Sequence, residues 1–254
     1  MIDKRSLLRI FLPLAALALV ACNGEKELRY MSYNVRNGSG MDDSTSYTRT
    51  ASVIKQWNPD VVAIQELDSV TERSKQKYVL GELAELTGMH ATYAAAIDYS
   101  GGKYGIGILS KEKPMRIHRY ALPGREEART LLVAEFKDYV CCCTHLSLVE
   151  DDRMLSFPII QEALSLFKKP VFIAGDWNAT PESDFIKRMD DKFIFMFMTD
   201  TTRFTFPADT PNCTLDYIAL GKNVQVRIIE KETEVIDAPA ESDHRPVTAT
   251  IRWK

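Results

Sequence analysis

Residues 171–178 read Val-Phe-Ile-Ala-Gly-Asp-Trp-Asn, and residues 139–146 read Tyr-Val-Cys-Cys-Cys-Thr-His-Leu. Each is a short apolar run that closes on a polar residue, Asp176 in one and His145 in the other. That is the pattern of a buried strand with chemistry at its downstream end. Strand alternation puts Cys141 and Cys143 on one face and Cys142 on the other. No CxxC or His–Cys spacing accompanies them, so zinc is disfavoured and buried free thiols are expected. A disulfide from Cys213 to this strand is left open. Between the two runs, Ile159, Ile160, Ala163, Leu164 and Phe167 recur at helical spacing, with Pro158 near the first turn. Strand, helix and strand in this order make a layered α/β unit, and such folds collect ligands beyond the carboxyl ends of their strands.

Further strands are expected at Leu28–Val35, Asp60–Gln65, Ala91–Ile97, Tyr104–Ser110, Met115–Ala121 and Thr130–Phe136. Downstream they are expected at Phe193–Met198, Leu215–Leu220, Val224–Ile229 and Val247–Trp253. Helices are expected over Thr50–Trp57, stopped by Asn58-Pro59, and around Val79, Leu80, Leu83 and Leu86 before Gly88. The first half alternates strand and helix, whereas the second runs strands together, so two packed mixed β-sheets with helices outside accommodate both. The chain has 254 residues, of which 45% are hydrophobic, enough to bury a full core. With 26% charged residues, 12 Gly and 11 Pro, it is neither disordered nor collagen-like. A formal net charge of −3 lacks the basic footprint of a nucleic-acid binder.

Residues 1–22 read MIDKRSLLRIFLPLAALALVAC. Lys4, Arg5 and Arg9 precede an apolar run, Ile10 to Ala21, that is too short for a stable membrane-spanning helix, so a cleaved export signal is expected. Leu19-Val20-Ala21-Cys22 resembles the bacterial lipobox, whose cysteine is acylated and becomes the new N-terminus. The expected organisation is a signal peptide over 1–21, a lipidated Cys22 with a short tether to residue 27, and one domain over 28–254. Such a protein is exported and anchored to a bacterial envelope membrane. The alternative is an uncleaved anchor or a plain secretory signal in which Cys22 is incidental.

Polar residues of catalytic type stand at the ends of the apolar runs: Asn34 after Tyr30-Met31-Ser32-Tyr33, Glu66 after Ile64-Gln65, His145, then Asp176 and Asn178. Asp216 follows in Leu215-Asp216-Tyr217-Ile218, and Asp243-His244 in Ser242-Asp243-His244-Arg245-Pro246-Val247. Singly, each reads as a turn or cap residue. His90 and His118 lack this context and read as surface or packing residues. Taken together, SYNV, QE, THL, GDWN, LDYI and SDHRPV, in that order, resemble the endonuclease/exonuclease/phosphatase superfamily of DNase I-like nucleases, neutral sphingomyelinases and inositol polyphosphate 5-phosphatases. The resemblance covers essentially all of residues 28–254. It implies a four-layer α/β/β/α sandwich with two packed mixed β-sheets, and metal-dependent phosphoester hydrolysis.

The residue chemistry agrees. Attack of water on an anionic phosphodiester needs charge neutralisation, a base and help for the leaving oxygen. Glu66 is the natural ligand for Mg²⁺ or Mn²⁺, with Asn34 and Asp243 close around the ion. His244 is the candidate general base, oriented by Asp216, and Asp176 with Asn178 would hold the attacking water and a phosphate oxygen. In the superfamily the base role has been argued for the equivalents of both Asp176 and His244. His145 would bind a phosphoryl oxygen or protonate the leaving group, and is expected to be cationic for that purpose. Arg36 and Tyr104 are candidate substrate contacts; Arg129 and Arg153 are of the type to bind anionic substrate or sit in surface ion pairs, and the surface is favoured for both.

Departures from subfamily patterns narrow the reading. Arg36 stands where abasic-site endonucleases usually carry Asp, and Thr214-Leu215-Asp216-Tyr217 replaces the Trp-Cys-Asp-Arg segment of inositol 5-phosphatases. The expected activity is a membrane-tethered phosphoesterase, acting on a phosphodiester of a small or lipid-derived substrate. A secreted-type nuclease is the alternative, although no long Lys/Arg cluster favours it. The rival of another class is a non-catalytic binding lipoprotein on the same fold, against which the complete polar set argues.

Overall fold

The computed structural model describes residues 24–197 and 203–254. The expected export signal over residues 1–21 and the expected lipidation site Cys22 lie outside the described residues. The first sheet is built from β1 (Lys26–Asn34), β2 (Val61–Ser69), β3 (His90–Tyr99), β4 (Gly102–Ser110), β11 (Ile228–Val235) and β12 (Val247–Trp253), in the order β11-β12-β1-β2-β4-β3. The second contains β5 (Arg116–Leu122), β6 (Arg129–Glu135), β7 (Val140–His145), β8 (Val171–Asp176), β9 (Phe193–Phe197) and β10 (Asp216–Gly221), in the order β5-β6-β7-β8-β10-β9. In each sheet one central pair is parallel, β1 with β2 and β7 with β8, and the remaining neighbours are antiparallel. These two parallel pairs send Asn34, the Glu66 region, His145 and Asp176 to the same end of the sandwich.

Three apolar layers hold the sheets. The inner one joins both sheets through Leu28, Tyr30, Val61, Phe172, Ile218 and Ile251, all buried. On the outside of the first sheet, helices α1 (Tyr47–Trp57) and α2 (Val79–Thr87) bury Ile54, Leu80 and Leu83 against Met31, Ile64 and Leu109. On the outside of the second, α3 (Glu150–Ser165) and α4 (Asp184–Asp190) bury Phe157, Ile160, Phe185 and Met189 against Val133, Ile173 and Tyr217. This is the four-layer α/β/β/α sandwich. The triple cysteine follows strand alternation: Cys141 and Cys143 belong to the inner layer and Cys142 to the outer one.

Local chemistry explains the element ends. Ser46 caps α1 by accepting from the Arg49 amide, Asn58 takes a left-handed φ of 51°, and Pro59 cannot continue the helix. Several elements differ from the expectation. Helix α3 begins at Glu150, so Pro158 lies in its interior; the ring sits on the exposed face, where water can satisfy the carbonyl it leaves unbonded. Strand β11 lies further downstream than Val224–Ile229, because it is an edge strand paired with β12 whose outward residues Glu230, Glu232 and Glu234 are charged. Helix α4 is too short for its periodicity to show. Strand β1 begins two residues early, at Lys26, which pairs with Trp253.

Cys141, Cys142 and Cys143 are free and fully buried, and burial pushes their thiols above the ordinary range. Cys213 is also free and partly exposed, so it forms no disulfide. A thiol-reactive chromophore should therefore label Cys213 first in the native protein, and the other three only at the rate of unfolding. Mass spectrometry of labelled peptides gives the order, and rapid native labelling of Cys142 would contradict the packing.

Candidate active site

Six chain segments deliver the site. Strand β1 ends on Asn34 and β7 on His145; β8 ends on Asp176, with Asn178 two residues later. Strand β10 starts with Asp216, and the loop before β12 carries Asp243 and His244. Glu66 occupies an irregularity in β2 between Ile64 and Leu67, at a φ of 60°. A carboxylate at positive φ is locally costly, and the bulge turns it out of the sheet's alternation toward the site. In the second sheet Asp176 is in register with His145 on one side and with Asp216 on the other. Gly175 makes the first pairing possible, because a Cβ there would collide with the carbonyl oxygen of Thr144.

Asp176 is the hub. Its Oδ2 accepts from Asn34 Nδ2 at 3.1 Å and lies 3.5 Å from His145 Nε2 and 3.7 Å from His244 Nε2. Its Oδ1 accepts from the Asn178 amide at 2.9 Å. Asn34 Nδ2 also donates to Glu66 Oε1 at 2.9 Å, which links the two carboxylates through one amide. Asn178 takes a left-handed φ of 49°, common for Asn, and donates Nδ2 to the Leu146 carbonyl at 2.9 Å, fixing the loop after His145. His244 Nδ1 lies 2.9 Å from Asp216 Oδ2, and the ring of Phe206 covers the imidazole at 4.7 Å. Ser242 Oγ donates to the Asn34 carbonyl at 2.7 Å and ties this loop to β1.

The electrostatics separate the two histidines. Burial opposes the charged form of each. At His244 the adjacent Asp216 and Asp176 carboxylates, with Asp243 behind them, outweigh burial and hold the imidazole up at about 10. At His145 burial prevails over the attraction of Asp176, helped by Arg129 and His244, and lowers the ring to about 4. His145 is thus neutral at neutral pH in the free protein, where the sequence led us to expect a cation. Burial, together with neighbouring Asp243 and Asp176, also raises the Glu66 carboxyl, against the pull of Asn34 and His244.

The remaining expected contacts lie at the rim. The Arg36 amide donates to Asn34 Oδ1 at 3.1 Å, its guanidinium reaches Asp43 at 3.1 Å, and Nε is 3.8 Å from Asp243. Tyr104 is the cross-strand partner of Asp68, and burial next to Glu66 raises its hydroxyl. Arg129 and Arg153 are not surface residues. Each is 6% exposed. Arg129 pairs with Glu126 and Glu127 at 3.2 and 3.1 Å beside His145, and Arg153 donates to the Ser147 carbonyl at 2.9 Å. An Arg at the start of β6 or inside α3 carries no local sign of burial, so only the packing reveals them. Phe206 and Ser242 were also missed; Ser242 stood inside the SDHRPV segment, whereas nothing marked Phe206. His118 packs on Phe167 and His90 is exposed, both away from the site.

The donor set suits a hard divalent cation. Asp176, Asp216 and His244 bring ligand atoms within 4.8 Å of one another. Glu66 and Asp243 add carboxylates whose mutual crowding a cation would relieve. Because Asp216 is engaged with His244, the oxygens best placed for an ion are those on the Glu66 side.

A family profile described as the endonuclease/exonuclease/phosphatase family matches residues 31–244. Solved structures share the fold. A protein of that family from Bacteroides vulgatus superposes with a TM-score of 0.71 at 18% identity, covering 90% of this chain and 99% of its own. A mannosyl-6-phosphatase from Bacteroides thetaiotaomicron gives 0.66 at 15% identity, covering 88% and 99%. D. rerio TDP2, humanized by 14 mutations, gives 0.65 at 18% identity, covering 89% and 98%. No curated protein sequence matches the chain. The chain belongs to the endonuclease/exonuclease/phosphatase family, whose members are hydrolases acting on phosphoesters.

Proposed function

We propose that the protein is a membrane-tethered phosphoesterase, dependent on Mg²⁺ or Mn²⁺, that hydrolyses a phosphodiester of a small or lipid-derived substrate by attack of water. The observation that carries this reading is the Asp176 hub: one buried carboxylate shared by Asn34, Asn178, His145 and His244. A hub of this kind positions a water and takes its proton, while cationic and N–H donors face the phosphoryl oxygens. Glu66, with Asn34 and Asp243 close by, would hold the metal, which supplies charge neutralisation at the phosphoryl oxygen.

The environment redistributes two roles. A His244 held at about 10 is an imidazolium at neutral pH, so it serves as an electrostatic donor to the phosphoryl group, and the base role falls to Asp176. Asp216 keeps the imidazolium charged and aimed. His145, neutral when the site is empty of anion, donates one N–H to the phosphoryl group, and an arriving anion favours its protonation toward the leaving oxygen. Arg36 at the rim is of the type to contact substrate phosphate.

The reading is tested with a panel of a simple aryl diester, a monoester, plasmid DNA, sphingomyelin and an inositol phosphate, each with Mg²⁺, Mn²⁺ or EDTA. EDTA-sensitive hydrolysis of a diester is the expected result. Hydrolysis of plasmid DNA in preference to the small diester would favour a nuclease, and metal binding without turnover on any ester would favour a binding protein. Glu66→Gln should raise the metal concentration for half-maximal rate at least roughly tenfold, with a smaller change in KM for substrate. An unchanged metal requirement would remove Glu66 from the ion.

A further inference from the structure

The site and the start of the folded domain lie at opposite ends of the sandwich. Strand β1 begins at Lys26 and runs to Asn34 in the site. Eight strand steps of ~3.3 Å separate these ends by about 26 Å. The Lys26–Asp138 ion pair at 2.9 Å joins the two sheets at the starting end, so that end is common to both. From Cys22 to Lys26 there are four residue steps, which reach at most ~14 Å when fully extended. A lipid on Cys22 cannot let the domain invert, because the tether is shorter than the strand that separates it from the catalytic mouth.

Charge has the same polarity. At the starting end the acidic residues largely close on basic neighbours: Glu27 on Arg252, Asp60 on Lys111, and Glu135 on Lys169. Lys113, Lys137, Lys168, Lys192 and Arg227 are exposed there and pair with no carboxylate among the described residues. The opposite end gathers Glu66, Asp176, Asp216 and Asp243. An anionic bilayer attracts the exposed lysines of the first surface, whereas the second sets His244, Arg36 and Arg129 among its carboxylates and offers no such patch.

We infer that the domain stands on its anchoring bilayer by the end where β1 begins, with the catalytic mouth turned to the aqueous side, so that its substrates are phosphoesters presented from solution and not lipids of the leaflet that holds it. This rests on Cys22 as the lipid anchor and on the phosphoesterase reading. It narrows that reading to water-soluble esters.

The test uses the full chain with its lipid, reconstituted into phosphatidylethanolamine/phosphatidylglycerol vesicles that carry a rhodamine lipid. In a Cys213→Ser background, one fluorophore is placed at Glu112→Cys, next to β4 at the tethered end, or at Ser100→Cys, in the β3–β4 turn at the mouth. Energy transfer to the bilayer should be at least twofold greater from position 112 than from position 100. Equal or reversed transfer would overturn the orientation. Vesicle association that survives Cys22→Ala would overturn the anchor on which it rests. A soluble aryl diester should be hydrolysed by bilayer-bound enzyme at the rate seen in detergent, while phospholipid of the same vesicles is cleaved at less than one-tenth of its mixed-micelle rate. Phospholipid cleavage in the vesicles that matches a measurable mixed-micelle rate would overturn the substrate class, and no cleavage in either setting supports it. Ordered energy transfer without turnover of any ester would sink the phosphoesterase reading, and with it the substrate class, while the orientation stands.

Discussion

Asp176→Asn is expected to lower kcat on a soluble diester about 10³-fold at saturating metal, within the 10²–10⁴ range for a positioned proton acceptor. The replacement keeps shape and volume, so the fold should persist. It removes the only feature that four neighbours share. Oδ2 faces Asn34 Nδ2 and both imidazole Nε2 atoms, while Oδ1 faces the Asn178 amide. An amide has one acceptor atom for these two sides. If that oxygen serves Asn178, its NH₂ confronts the donor of Asn34, and the bridge from Asn34 to Glu66 is left to hold alone. The base is lost and the amide pair that orients Glu66 is disturbed together. Turnover under saturating conditions, with circular dichroism as the check on folding, reads the effect. Activity within tenfold of wild type would move the base elsewhere, and His244 would be the next residue to examine.

In EDTA, thermal stability is expected to peak near pH 6.5 and to fall on both sides, with each limb owned by a different histidine. For His244 the folded value, about 10, lies above the unfolded value near 6.5. Its stabilising contribution is complete below pH 6.5 and is lost as pH rises toward 10. For His145 the folded value, about 4, lies below the unfolded one, so its contribution is complete above pH 6.5 and is lost as pH falls toward 4. At about 1.4 kcal/mol per pKa unit, each limb amounts to a few kcal/mol, or roughly 10 °C in Tm for a domain of this size. The raised Glu66 carboxyl works against the acid limb, so the diagnostic quantity is the difference between wild type and each variant. His244→Gln should flatten the alkaline limb and leave the acid limb, and His145→Gln should do the reverse. A variant that shifts both limbs equally would show that the two rings titrate as one unit.

These predictions depend on information of two kinds. The strands were legible because a strand is a local object: an apolar run of about six residues with turn-forming neighbours, as at Val171–Asp176 or Val247–Trp253. The order of the polar residues that close those runs was equally legible, and the resemblance of their motifs to a known family gathered Asn34, Glu66, His145, Asp176, Asn178, Asp216, Asp243 and His244 into one candidate set. What misled was local as well. Pro158 looked like a first-turn residue because the polar turn ahead of it, Glu150 to Asp152, carries no apolar stripe. Charged edge residues masked β11.

Amino-acid sequence alone therefore determined two packed sheets with helices outside, which follows from where apolar runs begin and end, while the four-layer order and the candidate set of site residues came from the resemblance of six ordered motifs to a known family. Tertiary structure alone decided the protonation states. His145 and His244 look alike on paper, each a histidine beside an acidic strand end, yet they differ by about six pKa units because Asp216 sits 2.9 Å from one ring, while the other faces Arg129 and loses water without an equal partner. Desolvation and Coulomb attraction depend on distances between groups that lie far apart along the chain, 28 residues for Asp216 and His244 and 142 for Asn34 and Asp176. No local pattern encodes those distances. They exist only once the two sheets have packed and brought the ends of β1, β2, β7, β8 and β10 to one side.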